Sequence, residues 1–363
     1  MIFIIGVLLG MGAFFAFQLN ELLGAVATED FDPAAARAAI GAANPDPITD
    51  VTFVEPSEFE PIFGTSETSD LEAEQAELAE AINLFEPFDP MEFSPYSFGE
   101  PIADSVFDSY LLIGTDASGF RADAIILALQ PSEGGSPIMV SLPRDLYVWN
   151  ACKRTFTRLN AGLGGCAGAA SGSEMMAILV EDYTGIPVDH LARIDFGGFE
   201  RVVDAMGGTT ICVDYPIRDP KSGLNITETG CNDANGATTL AWVRSRRAEQ
   251  LIDGNWVVAS GSDFTRQGRQ QDVLFQLAAS AAGFPSPASL TSQLNAVAVS
   301  MRLDSSWTFG QAISTAWQYR GISKSSVSGF TISIRSYRTP AGAAVLLPTR
   351  SFKSQLTTVY SLG

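Results

Sequence analysis

Arg266 and Gln270 stand four residues apart in Asp263-Phe-Thr-Arg-Gln-Gly-Arg-Gln-Gln271, a spacing that stacks two side chains on one face of a helix. Arg121 and Asp123 stand two apart, which in a strand puts both on one face. Pro143-Arg-Asp145 and Arg244-Ser-Arg246 add further arginines. Arginine is a planar fork that binds phosphate through two parallel hydrogen bonds, and carboxylates beside such a group commonly hold Mg²⁺. These residue types, spread along the chain, describe one convergent site for a phosphate ester. Arg244 and Arg246 cannot share a face inside a regular helix, so both reach one ligand only if the helix ends near Arg244. His190 is the only histidine and reads as structural, because no Ser-His-Asp or Cys-His arrangement assembles in the motifs.

Charge separates the chain into parts. Residues 20 to 105 hold twenty Asp and Glu against one base, Arg37, which accounts for the whole net charge of −19. The remainder, 106 to 363, balances 21 acids with 21 bases. A neutral domain behind an acidic segment offers nucleic acid no electrostatic footprint. Residues 1 to 19 carry no charged side chain, and about 20 apolar residues suffice to cross a bilayer as a helix. An uncleaved transmembrane anchor is therefore expected at 1–19. The alternative is a secretory signal peptide cut after Ala25-Val26-Ala27, but the apolar run is longer than usual and the basic start is missing. Residues 20–104, acidic and punctuated by proline, read as a largely disordered linker with one short helix near 70–84. Residues 105–363 read as a single folded domain.

Four cysteines in an exported chain make disulfides plausible. Of three possible pairings, Cys152–Cys166 with Cys212–Cys231 closes the shortest loops. Zinc is a weaker alternative, since no Cys-x-x-Cys spacing exists.

Short apolar runs at 109–113, 124–129 and 137–142 suit buried strands. Helical periodicity follows at 171–183, stopped by Gly185-Ile-Pro, then a strand at 191–196, a helix at 199–206 and a strand at 209–213. Helices are expected at 237–243 and 264–282, two more within 286–319, and a late strand at 330–334. This alternation predicts an α/β fold: a single three-layer α-β-α domain with a central mixed sheet, preceded by the transmembrane helix and acidic linker. Met175, Met176, Ile178 and Leu179 form an apolar stripe that reads as core, or as one wall of a lipid groove.

The order of the motifs resembles the LytR-CpsA-Psr family of cell-envelope glycan ligases. The matching residues are Leu111-Leu-Ile-Gly-Thr-Asp116, Arg121-Ala-Asp123, Ser141-Leu-Pro-Arg-Asp145, Arg158-Leu-Asn160 and Gly185-Ile-Pro-Val-Asp189. They continue through Asp195-Phe-Gly-Gly-Phe199, Ala241-Trp-Val-Arg-Ser-Arg246 and the Asp263–Gln271 stretch. The resemblance implies an Mg²⁺-dependent phosphotransferase on the outer side of the cell membrane. It would move a glycan from a polyprenyl-pyrophosphate carrier to peptidoglycan and leave a phosphodiester link. By matching position, Asp116 and Asp123 would serve Mg²⁺, while Arg121, Arg144, Arg244, Arg246, Arg266 and Gln270 would contact the pyrophosphate. Arg158 and Arg269 are secondary substrate-binding candidates. Two departures stand out: a cysteine-bearing segment at 149–156, and an insertion at 247–262 that carries Trp256. Rival readings are a non-catalytic binder of the same lipid and a pyrophosphatase that gives the phosphate to water.

Overall fold

A computed structural model describes residues 27–43, 101–116, 118–259, 263–298, 301–339 and 341–362. The expected anchor at 1–19, the signal-cleavage alternative at Ala25 and Val26 and the helix near 70–84 lie outside these residues. Among the described residues no helix is long and apolar enough to cross a membrane.

One part of the expected linker is corrected. Ala27–Glu29 forms strand β1 and Pro33–Ala43 forms helix α1, and both belong to the domain. Ala36 and Ile40 of α1 are buried in the main core. Arg37 pairs with Glu181 and Asp182, so the lone base of the acidic segment is spent on a fold contact. The polypeptide rejoins the domain at Ile102, whose N–H donates to the Gly185 carbonyl at 2.8 Å.

The sheet is built next: β2 (Phe107–Thr115), β3 (Ala122–Pro131), β4 (Ile138–Ser141), then a small hairpin of β5 (Tyr147–Asn150) and β6 (Thr155–Arg158). Helix α2 (Gly172–Thr184) starts on a capping box between Ser171 and Glu174 and stops at Gly185, whose φ of 72° is left-handed. Strand β7 (His190–Ile194), helix α3 (Phe196–Ala205) and strand β8 (Thr209–Val213) follow. Strands β9 (Ile217–Asp219), β10 (Leu224–Ile226) and β11 (Gly230–Ala234) lead into helix α4 (Gly236–Arg244). The 247–262 insertion contributes β12 (Glu249–Ile252) and β13 (Asn255–Val258). Helices α5 (Asp263–Ala281) and α6 (Pro287–Ala298), strand β14 (Met301–Asp304) and helix α7 (Phe309–Gln318) complete the helical side. The chain closes with β15 (Ile334–Arg338), β16 (Ala344–Pro348) and α8 (Phe352–Leu356).

The central sheet has the order β1-β14-β7-β2-β3-β4. It is mixed: β1 with β14 and β7 with β2 run parallel, and the other neighbours antiparallel. Strand β14, between the two helices expected at 286–319, was not foreseen. The late strand lies at Ile334–Arg338 instead of 330–334, because it pairs with β16 as a separate hairpin and leaves Phe330 to pack on the core.

Alternation along β2 divides the molecule. Phe107, Ser109, Leu111, Ile113 and Thr115 are all buried toward α2, where Met175, Met176, Ile178 and Leu179 are fully enclosed. That stripe is core and not a lipid wall. The opposite face, with Tyr110 and Leu112, turns to α3, α5, α6 and α7 across open apolar space. A period of two thus gives one strand a close-packed side and a hollow side.

Both expected disulfides are present, Cys152–Cys166 and Cys212–Cys231. The second joins directly opposed residues of β8 and β11. The described part of the insertion is ordered as strands. It adds β12 and β13 to β9, with the Arg218 guanidinium 4.0 Å over the Trp256 ring.

Candidate functional site

Four elements converge at the end of the sheet where β2 stops and β3 begins. The β2–β3 turn carries Asp116 and Arg121, and the start of β3 carries Asp123. The Asp116 N–H donates to the Arg121 carbonyl at 3.0 Å, and its Oδ1 accepts from the Ser118 N–H at 3.1 Å and from the Ser118 hydroxyl. Partial burial raises the Asp116 carboxyl, but these hydrogen bonds outweigh it and hold it below the usual range. Arg121 is exposed at the turn.

Beyond β4, the Pro143-Arg-Asp145 turn brings Arg144 onto the Asp123 carboxylate. Asp145 gathers three arginines, with Arg144 at 3.4 Å, Arg158 at 3.5 Å and Arg246 at 3.7 Å. The third element is the end of α4. Asn235 caps its start by accepting from the Thr238 N–H at 2.9 Å. Gly236 is required there, because a Cβ would lie 2.2 Å from the Glu200 carbonyl oxygen of α3. At the other end Ser245 is extended, with ψ 127°. The helix therefore ends at Arg244, as sequence reasoning required if Arg244 and Arg246 were to reach one site, and both line the same pocket. The Arg244 guanidinium also lies 4.2 Å over the Phe196 ring.

Asp219, which sequence reasoning missed, organises that ending. Its Oδ2 accepts from the Ser245 hydroxyl at 2.8 Å and from the N–H groups of Arg246 and Arg247 at 3.1 and 3.2 Å. Its Oδ1 takes the Lys221 N–H at 3.0 Å. Burial pushes this carboxyl up, but the four donors hold it below the usual carboxylate range. In sequence it stands in Arg218-Asp-Pro220, which reads as an ordinary turn. Asp145 stands in the Ser141-Leu-Pro-Arg-Asp145 motif, yet its role as a hub depends on partners from distant elements.

The fourth element is the first part of α5. Arg266 is only 4 % exposed, and Gln270, one turn on, donates to the Val243 carbonyl at 3.4 Å. Gln271 ties the helix to β4 by donating to the Ser141 hydroxyl at 3.1 Å.

The result is a pocket of about 350 Å³, in which Arg144, Lys221, Arg244, Arg246, Arg247 and Arg266 face Asp123 and Asp219 beside Gln270. Six cations against two carboxylates suit a multiply charged anion. Lys221 and Arg247 were not foreseen. Of the sequence candidates, Asp116, Arg121, Arg158 and Arg269 do not line it. Two of these make bonds within the fold. Arg158 donates twice to the Ala344 carbonyl, at 3.0 and 2.8 Å, and holds the β15–β16 hairpin. Arg269 lies 3.9 Å over the Trp242 ring and donates to the Trp242 and Ser245 carbonyls at 3.5 and 3.4 Å. It thereby closes the carboxyl end of α4. His190 stacks on Trp307 near Asp304, as a structural residue would.

Two apolar cavities continue from this pocket. One, of about 290 Å³, shares Asp123, Val243, Arg244 and Gln270 with it. The next, of about 340 Å³, shares Leu112, Val202, Leu274, Leu277 and Leu294 with the first. Phe199 lines the first of these and packs against the Leu240, Val243 and Val273 cluster. A cationic head and an apolar trough therefore form one path between the hollow face of the sheet and the helices.

Among the described residues no cluster of three or more His, Cys, Asp or Glu side chains forms a cage for a metal. The donor set nevertheless fits Mg²⁺, which binds through one or two carboxylates and completes its shell with phosphate oxygens and water. Asp116 and Asp123 sit at the same hairpin end, beside the anion pocket.

The sequence profile of the LytR_cpsA_psr family matches residues 96–358. A probable cell wall biosynthesis protein, LcpB, from Corynebacterium glutamicum is 36% identical over 152 residues, which is 42% of this chain and 34% of that protein. A polyisoprenyl-teichoic acid–peptidoglycan teichoic acid transferase, TagU, from Halalkalibacterium halodurans is 29% identical over 201 residues, 54% of this chain and 60% of the relative. The chain thus spans about a third to three fifths of the length of these relatives. Among solved structures, a LytR-Csp2A-Psr enzyme from Actinomyces oris superposes with a TM-score of 0.56 at 25% identity, covering 72% of this chain and 93% of that one.

Proposed function

Since the chain belongs to the LytR-CpsA-Psr family, we propose that it transfers a glycan from a polyprenyl-pyrophosphate carrier to peptidoglycan through a phosphodiester link. The observation that carries this reading is the continuity of the cationic pocket with the apolar trough. A lipid-linked diphosphate is an anion fused to a long apolar chain, and this path offers the matching surface for each part. The names of the relatives support the same chemistry, since one of them is a transferase of polyisoprenyl-linked teichoic acid to peptidoglycan.

In this reading Arg144, Arg244, Arg246 and Arg266 clasp the diphosphate, and Gln270 orients one of its oxygens. Arg121 stands at the rim, free to fold onto a bound head group. An acceptor hydroxyl oxygen attacks the phosphorus that bears the glycan. The bridging P–O bond to the carrier breaks, the carrier departs as its monophosphate, and the hydroxyl proton is released. Charge grows on the bridging oxygen as that bond lengthens, so fixed guanidinium groups accelerate the step by meeting it without reorganising. Mg²⁺ held by Asp116 and Asp123 would supply further neutralisation of that charge. Asp145 and Asp219 keep the arginines aimed while the pocket is empty of anion, when their mutual repulsion is greatest. The uncharged run at 1–19, together with two disulfides of the kind formed in oxidising compartments, supports a membrane-anchored domain on the extracytoplasmic side.

The test uses the full chain with a synthetic polyprenyl-diphosphate disaccharide and peptidoglycan fragments. Mass spectrometry should find the sugar joined to peptidoglycan through phosphate. Release of the free sugar phosphate alone would make the protein a pyrophosphatase, and recovery of intact donor bound to the protein would make it a binder.

A further inference from the structure

Phe120 is 73 % exposed, the most exposed large hydrophobic side chain among the described residues. It stands at the tip of the β2–β3 hairpin beside the exposed Arg121, just after Gly119, whose φ of 73° makes the turn. Nothing in the proposed transfer uses it.

The register of the sheet relates this tip to the start of β1. Ala27 pairs with Arg302, Arg302 with Arg193, Arg193 with Ile113 and Ile113 with Ile125. These five residues form one row across the sheet. Ala27, the first residue of β1, therefore lies toward the same end of the sheet as Asp116, Phe120 and Asp123. Three strand spacings separate β1 from β2, roughly 15 Å in all. The apolar cavity nearest that end is lined by Gly114, Ile194 and Met301, from the adjoining row.

Chain length supplies the second argument. Only residues 20–26 lie between the uncharged run and β1, and seven extended residues reach at most about 25 Å. The linker read from sequence was an 85-residue spacer, yet the stretch that separates an anchor from the fold is this short one. The long acidic stretch leaves from the end of α1 and returns at Ile102, so it adds nothing to the reach.

We propose that the hairpin tip at Ser118–Arg121 is a membrane-contact element, with Phe120 seated among the head groups of a bilayer and Arg121 meeting anionic lipid. This deepens the reading above, because it rests on residues 1–19 being an anchor. An aromatic ring next to a cation is the side-chain pair that settles at an apolar–aqueous boundary rich in negative charge. Held there, the hairpin keeps the mouth of the pocket against the surface in which a lipid-linked donor resides.

The test uses the full chain with Ser118→Cys, labelled with an environment-sensitive fluorophore. The four native cysteines are paired, so only the new thiol reacts. The protein is reconstituted in vesicles of equal phosphatidylcholine and phosphatidylglycerol bearing a spin label on the head group. The label at 118 should lose most of its emission, and adding Phe120→Ser should restore most of it. A label at Glu133→Cys, in the exposed turn at the opposite end of the sheet, should keep its emission throughout. Quenching at 118 that is absent, or that is unchanged by Phe120→Ser, in protein that resists alkaline extraction overturns the contact while the anchor stands. Protein extracted by alkali overturns the anchor, and the argument from chain length with it.

Discussion

Replacing Asp219 by Asn isolates the carboxylate that shapes the arginine turn. One oxygen of Asp219 serves three donors, from Ser245, Arg246 and Arg247, and the other serves the Lys221 N–H. An asparagine retains one oxygen. Turned toward the three donors, it keeps those bonds without the ionic contribution, each weaker by roughly 1 kcal/mol, and sets an amide N–H₂ against the Lys221 N–H. The combined loss is about 4 kcal/mol, a large share of the ~5–15 kcal/mol that holds a domain together. The pH dependence carries a sign. Because its donors depress the Asp219 carboxyl in the folded state, its stabilisation is present above the unfolded value near about 3.9 and is lost as pH falls through the folded value. Urea unfolding should therefore show a wide gap between parent and Asp219→Asn at pH 7, narrowing below about pH 4. Transfer activity should fall by about 10-fold or more, since the backbone that aims Arg246 and Arg247 is displaced. A variant that unfolds within about 0.5 kcal/mol of the parent at pH 7, with no narrowing in acid, would refute the role given to this carboxylate.

Arg266→Lys keeps the charge but not the fork, and Arg266→Ala keeps neither. Turnover should fall in both, by about 10²-fold for alanine, and near-parent activity in the lysine variant would reduce Arg266 to a point charge. Burial raises the Asp182 carboxyl to about 6 even though Arg37 pulls it down, so folded protein binds this proton more tightly than unfolded chain. Its contribution to stability should decline as pH rises from about 4 through that value, and Arg37→Ala should carry the decline to higher pH in thermal melts. Ala278→Trp fills the second apolar cavity and should abolish any long-chain lipid recovered with the protein by mass spectrometry. A lipid still bound in that variant would move the prenyl chain elsewhere. Replacing Cys212 and Cys231 by serine opens a loop of 19 residues and should lower stability by about 3 kcal/mol in chemical denaturation.

Local spacing determined much of this protein before any tertiary contact formed. Short apolar runs at 109–113 and 124–129, and a period of 3.6 in 171–183, named strands and a helix that are present, because run length and side-chain direction follow backbone geometry residue by residue. The spacing of Arg244 and Arg246 required α4 to end near Arg244 if both were to reach one ligand, as it does, and the two disulfides followed from the shortest loops. Residue chemistry alone announced an anion site with carboxylates. What spacing does not encode is which distant groups meet. Arg269 and Arg266 stand three apart on one helix, yet one faces the pocket and the other lies on Trp242. That difference rests on α4 packing against α5, a contact between segments well separated in the chain. Arg158 finds its hydrogen-bond partner in the Ala344 carbonyl, 186 residues away. Residues 27–43 carried the composition of a linker, and only the open edge of β14 and the core surface of α2 make a strand and helix of them. The apolar trough belongs to no motif, since it is the space left between the hollow face of a sheet and helices that do not close on it. Such features arise from non-local packing, where the free energy of a residue depends on partners that no window of sequence contains.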